Sequence, residues 1–309
     1  MFGDIVVGVD ESPGGRDALA LAKRLVAPDA KLTMAHVIVI HAWQPWASGA
    51  ARAAGEREDD LERERADELL RTARDQSGIA IRCGEISLKS VWSSSVGRGL
   101  HELAEGQRAD LLVLGSSRRG LLGRVAVGDD TRAALNGAPC AVAVAPAGYA
   151  DHFGDIRQIG VGYDGSLESE AALEIARRLS LANDAELSAC TAVTVPLPAI
   201  GPGPMPLTDV IEPLLEKARE RITQLGGVTP LAGYGPPLEV LASYSDSVDL
   251  LVVGSRGYGP LGRLIHGSTS DELARVAHCA LLVLPRSARG TATDEQSKEQ
   301  RSEVVAGRD

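Results

Sequence analysis

One stretch of this chain is written twice. Residues 5–25 read IVVGVDESPGGRDALALAKRL and residues 159–179 read IGVGYDGSLESEAALEIARRL. Each is an apolar run closing in Gly-x-Asp-x-Ser. Each then continues with apolar residues at helical spacing: Ala18, Leu19, Ala22 and Leu25 in the first, Ala172, Leu173, Ala176 and Leu179 in the second. A second pair follows. Residues 110–146 open DLLVLGSSRRGLLGRVAVGDD and close APCAVAVAP; residues 249–285 open DLLVVGSRGYGPLGRLIHGST and close AHCALLVLP, with 16 of 37 aligned positions identical. The offset falls from 154 residues at the first pair to 139 at the second, so the second copy is shorter by 15 in its middle. Each copy is far longer than the roughly 20–50-residue period of a solenoid. The expectation is two homologous domains, 1–147 and 155–286, joined by a linker around 148–154. Residues 287–309 are polar and aperiodic, and a disordered tail is expected there.

Within a copy, strand-like and helix-like stretches alternate. In the first, strands are expected near 4–9, 31–38, 79–86, 110–115 and 141–145, and helices near 14–26, 56–76, 91–106 and 129–136. Residues 111–114 and 250–253 are apolar throughout, as in strands covered on both faces. Such alternation implies parallel strands joined by right-handed crossovers. The fold class is therefore α/β, with two homologous doubly wound, mostly parallel five-stranded sheet domains. In the second copy a helix is expected near 207–225, after the Gly-Pro-Gly-Pro-Met-Pro loop at 201–206. The third strand of that copy stays open, because Pro230, Pro236 and Pro237 crowd its place. The densely charged 56–76 helix reads as a solvated outer face.

Composition removes several classes of function. The 42 acidic residues outnumber the 32 basic ones, giving a net charge of −10. Nucleic-acid-binding surfaces are usually basic, and aromatics for base stacking are only 3% here, so no nucleic-acid partner is expected. No apolar run approaches eighteen residues, so no membrane span is expected. The start lacks a basic segment before its apolar run, so no signal peptide is expected and the location is expected to be cytoplasmic. Cys83, Cys140, Cys190 and Cys279 have no metal-type spacing and read as reduced, buried thiols.

Open parallel sheets bind ligands at the carboxyl ends of their strands, where the strand order reverses. Two elements of each copy should meet there: the Gly-x-Asp after the first strand and the Gly-rich loop after the fourth. In the second copy these are Gly162 and Asp164, then Gly254, Ser255, Arg256 and Gly257, and nine residues later Gly267, Ser268 and Thr269. Small residues let a phosphate approach the main chain, and a helix opening at Gly267-Ser268-Thr269 would aim its N–H groups and positive dipole end at it. Arg256 or Arg263 would add positive charge, and Asp164 would accept from ribose hydroxyls. Each residue also has a purely structural reading. Thr269 and Glu272 form a capping box, Gly254 and Gly257 suit a tight turn, and Asp164-Gly165-Ser166 suits a turn with Ser166 as helix cap. The joint spacing at one end of the sheet favours a nucleotide.

At these residues the chain resembles the universal stress protein family in its tandem form, over nearly residues 1–286. The nucleotide-binding members carry G-x2-G-x9-G-[ST], which Gly254, Gly257, Gly267 and Ser268 match at every position. The first-strand Asp of the family matches Asp10 and Asp164, and the closing Ala-x-Cys segments also fit. The resemblance implies a Rossmann-like fold akin to the adenine nucleotide α-hydrolases, with ATP as the ligand of the second copy. Asp164 would then meet the nucleoside, Ala192 and Val193 would meet adenine through the main chain, and the Gly loop would hold ribose and phosphates. Magnesium or manganese would ride on the phosphates. The family pairs subunits through the last strand, which implies pairing of 141–145 with 281–284 within the chain, and a homodimer as a further option.

The first copy departs from the pattern. Its matching positions are Asp10, Val37, Gly115, Ser116 and Gly128, but Arg118 replaces the second Gly and Asp129 replaces the Ser. Asp129 is a good helix cap, and it also sets a negative charge where phosphates would lie. ATP occupancy of this copy is therefore open. Two alternatives stand beside a nucleotide-dependent, non-catalytic stress regulator. One is a slow ATPase on the same scaffold, although the chain has no Walker A, no G-x-S-x-G, no H-E-x-x-H and no pyrophosphatase loop. His266 within the loop is its one added candidate. The other is a nucleotide-free dimeric scaffold.

Overall fold

The computed structural model describes residues 1–40, 49–79, 84–116, 129–152, 154–194, 207–255 and 268–285. The first copy runs β1 (Phe2–Gly8), α1 (Pro13–Leu25), β2 (Val26–Val39), α2 (Gly49–Ser77), β3 (Glu85–Ser93), α3 (Val96–Gln107), β4 (Leu111–Gly115), α4 (Asp129–Leu135) and β5 (Ala141–Ala145). A one-turn helix, α5 (Tyr149–His152), bridges to the second copy. That copy runs β6 (Gln158–Gly162), α6 (Leu167–Asn183), β7 (Glu186–Val193), α7 (Leu207–Thr223), β8 (Thr229–Tyr234), α8 (Pro237–Tyr244), β9 (Leu250–Gly254), α9 (Ser268–Val276) and β10 (Ala280–Leu284). No helix among the described residues is long and apolar enough to cross a membrane. The expected tail at 287–309 lies outside the described residues.

All ten strands lie in one sheet, ordered β3-β2-β1-β4-β5-β10-β9-β6-β7-β8. Every pairing is parallel except the central one, where β5 meets β10 antiparallel, with Val142 opposite Val283 and Val144 opposite Leu281. Two apolar cores, one on each face, cross this seam. One joins Ile5, Val7 and Leu111 to Ile159, Val161 and Leu282; the other joins Val6, Leu112 and Val144 to Leu251, Leu273 and Leu281. The doubly wound α/β class therefore takes the form of two five-stranded halves fused edge to edge.

A repeated aspartate starts each half. Asp110 accepts hydrogen bonds from the N–H groups of Gly3 (2.9 Å) and Asp4 (3.1 Å), and Asp249 accepts from those of Arg157 and Gln158 (both 2.8 Å). In both copies, the fourth strand thus pins the entry of the first.

Two expectations need correction. The third strand is not at 79–86: β3 starts at Glu85 and pairs with β2 from Lys31–Glu85 to Val39–Ser93. Ile79 is fully buried in the core just after Gly78, whose φ of +60° lies past the end of α2. The apolar residue that read as strand is a helix-end anchor, and the strand itself is a half-exposed edge. The third helix accordingly starts at Val96 with Ser95 as its cap rather than at 91, because Val91 and Trp92 pair with Val37 and Ile38. The open question at Pro230 is also answered. Pro230 sits in β8, an outermost strand paired on one side only, where a missing N–H is tolerated.

Two close approaches position the cleft end of the sheet. A Cβ on Gly115 would lie 2.0 Å from the carbonyl oxygen of Gly14, and one on Gly254 would lie 2.7 Å from the backbone of Glu168. The fourth strand of each copy therefore ends against the first turn of its α1 or α6, at a distance only glycine permits. The bridge between copies is held by Asp17 of α1. Its side chain is 3% exposed on the residue scale, and its two oxygens accept from Gly148 N–H (2.9 Å) and Ala150 N–H (2.8 Å). Burial pushes this carboxyl up from its ordinary value, and the two N–H donors pull it back. Its counterpart in the second copy is Ala171. Ion pairs from Arg16 to Asp151 and from the half-buried Arg24 to Asp155 flank the clasp.

Two substitutions test these contacts. Asp17→Ala orphans two N–H groups and should lower the free energy of urea unfolding by about 2–4 kcal/mol. Gly254→Ala forces α6 away from β9 and should lower it by about 1–3 kcal/mol. Unchanged denaturation midpoints would refute either account.

Candidate ligand clefts at the two switch points

Where the strand order reverses, between β1 and β4 and again between β6 and β9, the helices diverge and leave a cleft. The first has a volume of about 350 Å³ and the second about 120 Å³. Both open at the carboxyl ends of the strands, as the doubly wound topology requires.

The rim of each cleft is built by the same local chemistry. Asp10 Oδ1 accepts from Ser12 N–H (3.0 Å) and Ser12 Oγ (2.5 Å), and Ser12 Oγ caps α1 by accepting from Gly14 N–H (3.2 Å). Asp164 Oδ1 accepts from Ser166 N–H (3.0 Å) and Ser166 Oγ (2.5 Å), and Ser166 Oγ accepts from Ser169 N–H (3.2 Å) to cap α6. The Asp-x-Ser of each copy is thus a turn and helix cap in its own right. The exposed Asp10 and Asp164 nonetheless line their clefts.

A second device had no sequence signal. The carbonyl of the residue before each aspartate is held by a side chain from the second strand. His36 Nδ1 lies 2.8 Å from Val9 O, and Thr191 Oγ1 donates to Tyr163 O at 2.8 Å. The strand pairing places the two side chains at equivalent positions, yet one is an imidazole and the other a hydroxyl. Sequence reading missed both, because nothing local marks a side chain that bonds to the neighbouring strand.

The floors are apolar. Leu100 and Leu241, from α3 and α8, close the backs of the two clefts. Cys190 lies in the second floor, and burial pushes its thiol up to about 11, so it stays protonated at neutral pH and is no nucleophile. Burial likewise pushes Cys140 and Cys279 up to about 12, and all three described cysteines are free and buried. Cys83 lies outside the described residues.

The candidate residues divide as follows. Asp10, Val37, Gly115 and Ser116 line the first cleft, and Gly162, Asp164, Ala192 and Gly254 line the second. Gly115 and Gly254 earn their identity from the packing against α1 and α6 described above. The carbonyl of Val193 accepts from Gly235 N–H at 3.0 Å. Ser255 is 1% exposed and gives its N–H to Leu284 O at 2.9 Å, as Ser116 does to Ala145 O, so it ties the fourth strand to the fifth. Gly128, Arg256, Gly257 and Gly267, with Arg118, Arg263 and His266, lie outside the described residues. Ser268 and Thr269 open α9, which presents Ser270 and Leu273 to the second cleft; Thr131 and Ala134 of α4 hold the matching places in the first. Each of these helices thus begins beside its cleft. Among the described residues, no group of three His, Cys, Asp or Glu could hold a metal ion.

With this geometry in hand, comparison with known proteins is specific. The model of the universal stress protein family matches residues 1–146 and again 155–285. Universal stress protein Rv2319c of Mycobacterium tuberculosis is 27% identical over 214 residues, covering 65% of this chain and 73% of that protein, and the Mycobacterium bovis protein Mb2346c matches with the same values. A universal stress protein structure from Archaeoglobus fulgidus superposes with a TM-score of 0.60 at 16% identity, covering 92% of this chain and 98% of that one, which speaks for the fold. Two family matches, one on each half of the sheet, leave one conclusion: the chain belongs to the universal stress protein family, in a tandem form.

Proposed function

We propose that the protein is a nucleotide-dependent stress-response regulator whose second cleft binds ATP. One observation carries the reading. The helix that opens at Ser268 begins beside the cleft whose opposite rim holds Asp164. The first-turn N–H groups of a helix lack intrahelical partners, and the dipole adds positive potential there, so a polyphosphate is favoured at that end. The loop leading into α9 carries Gly257 and Gly267, which add main-chain donors without side-chain bulk. Asp164 Oδ1 is held by Ser166, which fixes the carboxylate in place to receive ribose hydroxyls. Magnesium or manganese would be carried by the phosphates rather than by a protein cage. ATP acts here as a conformational ligand of a cytoplasmic protein and not as a substrate, and β5 on β10 makes each chain its own pair of domains.

Isothermal titration tests the reading. ATP should bind the full chain, and Ser268→Asp should weaken it at least about tenfold, because a carboxylate caps the helix as well as serine does but repels phosphate at close range. No heat of binding at millimolar ATP in the wild type, or equal affinity in the variant, would end the proposal. Phosphate release should stay at the background rate of ATP alone. Linear turnover that disappears in Ser268→Asp would favour an enzyme instead.

A further inference from the structure

We infer that β3 is an interaction surface for a second copy of this chain, the two copies pairing β3 with β3 antiparallel about a two-fold axis at Ser87 and continuing the ten-stranded sheet from one molecule into the next. The inference stands apart from the reading of the second cleft, because β3 takes no part in that cleft.

The two ends of the sheet differ. β3 and β8 are its outermost strands, each paired on one side only. Along such a strand in a parallel pair, residues alternate between bonding inward and turning both backbone groups outward. Gly235 N–H bonds to Val193 O just past β8, so Leu231 and Gly233 bond inward and Pro230, Ala232 and Tyr234 face out. Pro230 has no N–H to offer, which blunts that edge. At the other end Ile40 N–H bonds to Ser93 O at 2.9 Å, so Glu85, Ser87, Lys89 and Val91 bond inward to β2. Ile86, Leu88, Ser90 and Trp92 therefore turn their N–H and C=O groups outward, along a nine-residue strand without a proline. Among the described residues no strand pairs with that side. An edge of this kind is a template for a further strand.

Charge selects the strand that fits. With the axis at Ser87, Ile86 and the partner's Leu88 stand opposite each other with outward groups meeting outward groups, as an antiparallel ladder requires. On the other face Glu85 stands opposite the partner's Lys89, and Lys89 opposite the partner's Glu85. An axis at Lys89 would set lysine against lysine, and one at Leu88 would put Val91 opposite Glu85 and Ser87 opposite Lys89. Only the Ser87 axis pairs both charges. Edge lysines ordinarily ward off stray strands. The exposed Lys89 does so unless a carboxylate arrives opposite it, and a second copy of this chain brings one. Glu85 also meets Lys31 at 3.8 Å, a solvent-exposed contact worth little, and its carboxylate can receive both ammonium groups. Ile86 and Leu88 pack against the core of Ile5 and Leu111 yet stay half-buried, so the pairing covers their outer flanks and carries that core across the axis.

The experiment is sedimentation of the full chain over a range of micromolar concentrations, which should show a reversible dimer. Lys89→Glu sets carboxylate against carboxylate and should weaken dimerisation at least about tenfold. Adding Glu85→Lys to it exchanges the two charges and should restore the dimer, which damage to the fold would not do. Ser87→Cys in a Cys83→Ser background reads the register directly. Facing residues at a pair that exchanges no hydrogen bonds lie about 4.5 Å apart, so mild oxidation should join two chains by a disulfide there. Ser90→Cys, which stands opposite Gly84 in this register, should not cross-link. A monomer at every concentration, a dimer indifferent to Lys89→Glu or not restored by the exchange, or cross-linking at Ser90 rather than Ser87 would each overturn the inference. None of these outcomes bears on ATP binding, which the titration of Ser268→Asp decides.

Discussion

The antiparallel pairing of β5 with β10 is the contact on which the rest of the molecule depends. Each half, taken alone, would end in a strand with one unpaired edge, and its two layers of helices would stop there. Joined at β5 and β10, the ten strands bury both edges at once and let the cores on both faces run through the seam. Parallel halves related by a two-fold can meet in this way only if the shared edges run antiparallel. The chain must then travel from the end of β5 to the start of β6 without disturbing the seam. Asp17 makes that possible. By receiving the N–H groups of Gly148 and Ala150 it folds the bridge against α1 and keeps both donors paired.

Much of this was legible in the sequence because a duplication cancels noise. Two copies of DLLV followed by glycine, and two copies of Gly-x-Asp-x-Ser, locate the first and fourth strands of each half even though 21 of the 37 positions in the longer match differ. What failed was the middle of the first copy. Ile79 looked like the start of a strand since nothing in a short apolar stretch separates a strand from a helix-end anchor. The true β3 is an edge whose residues are mostly half-exposed, and it carries Lys89 and Glu85, so no apolar run marks it. Pro230 raised doubt for the same reason: a proline is compatible with a strand only at an edge, and sequence does not say which strand is outermost.

The site was legible to a different degree. Asp10, Asp164, Gly115 and Gly254 reach the clefts, because topology dictates which strand ends converge. Their reasons for being there are partly structural. The two aspartates each organise a turn, and the two glycines answer to the backbones of α1 and α6 at under 3 Å from where a Cβ would sit. Ser255 also gives its N–H to Leu284 O, and the Val193 carbonyl accepts from Gly235 N–H. His36, Thr191 and Asp17 were invisible, since each bonds to a main-chain atom supplied by a different element, and such partnerships exist only once the chain has folded. The larger cleft lies in the first copy, whereas the Gly-rich pattern is intact in the second. Room and the intact Gly-rich pattern thus lie in different halves.

That separation has a source in the covalent bridge. When two identical subunits meet on a two-fold axis, every mutation appears twice, and a residue that improves one pocket is imposed on the other. Here the axis is only approximate. Val9 stands in one half where Tyr163 stands in the other, His36 where Thr191 stands, and Asp129 where Ser268 stands in the aligned sequence. A single polypeptide that carries both halves escapes the identity its symmetry once enforced, and it keeps the two pockets at fixed stoichiometry however dilute the protein becomes.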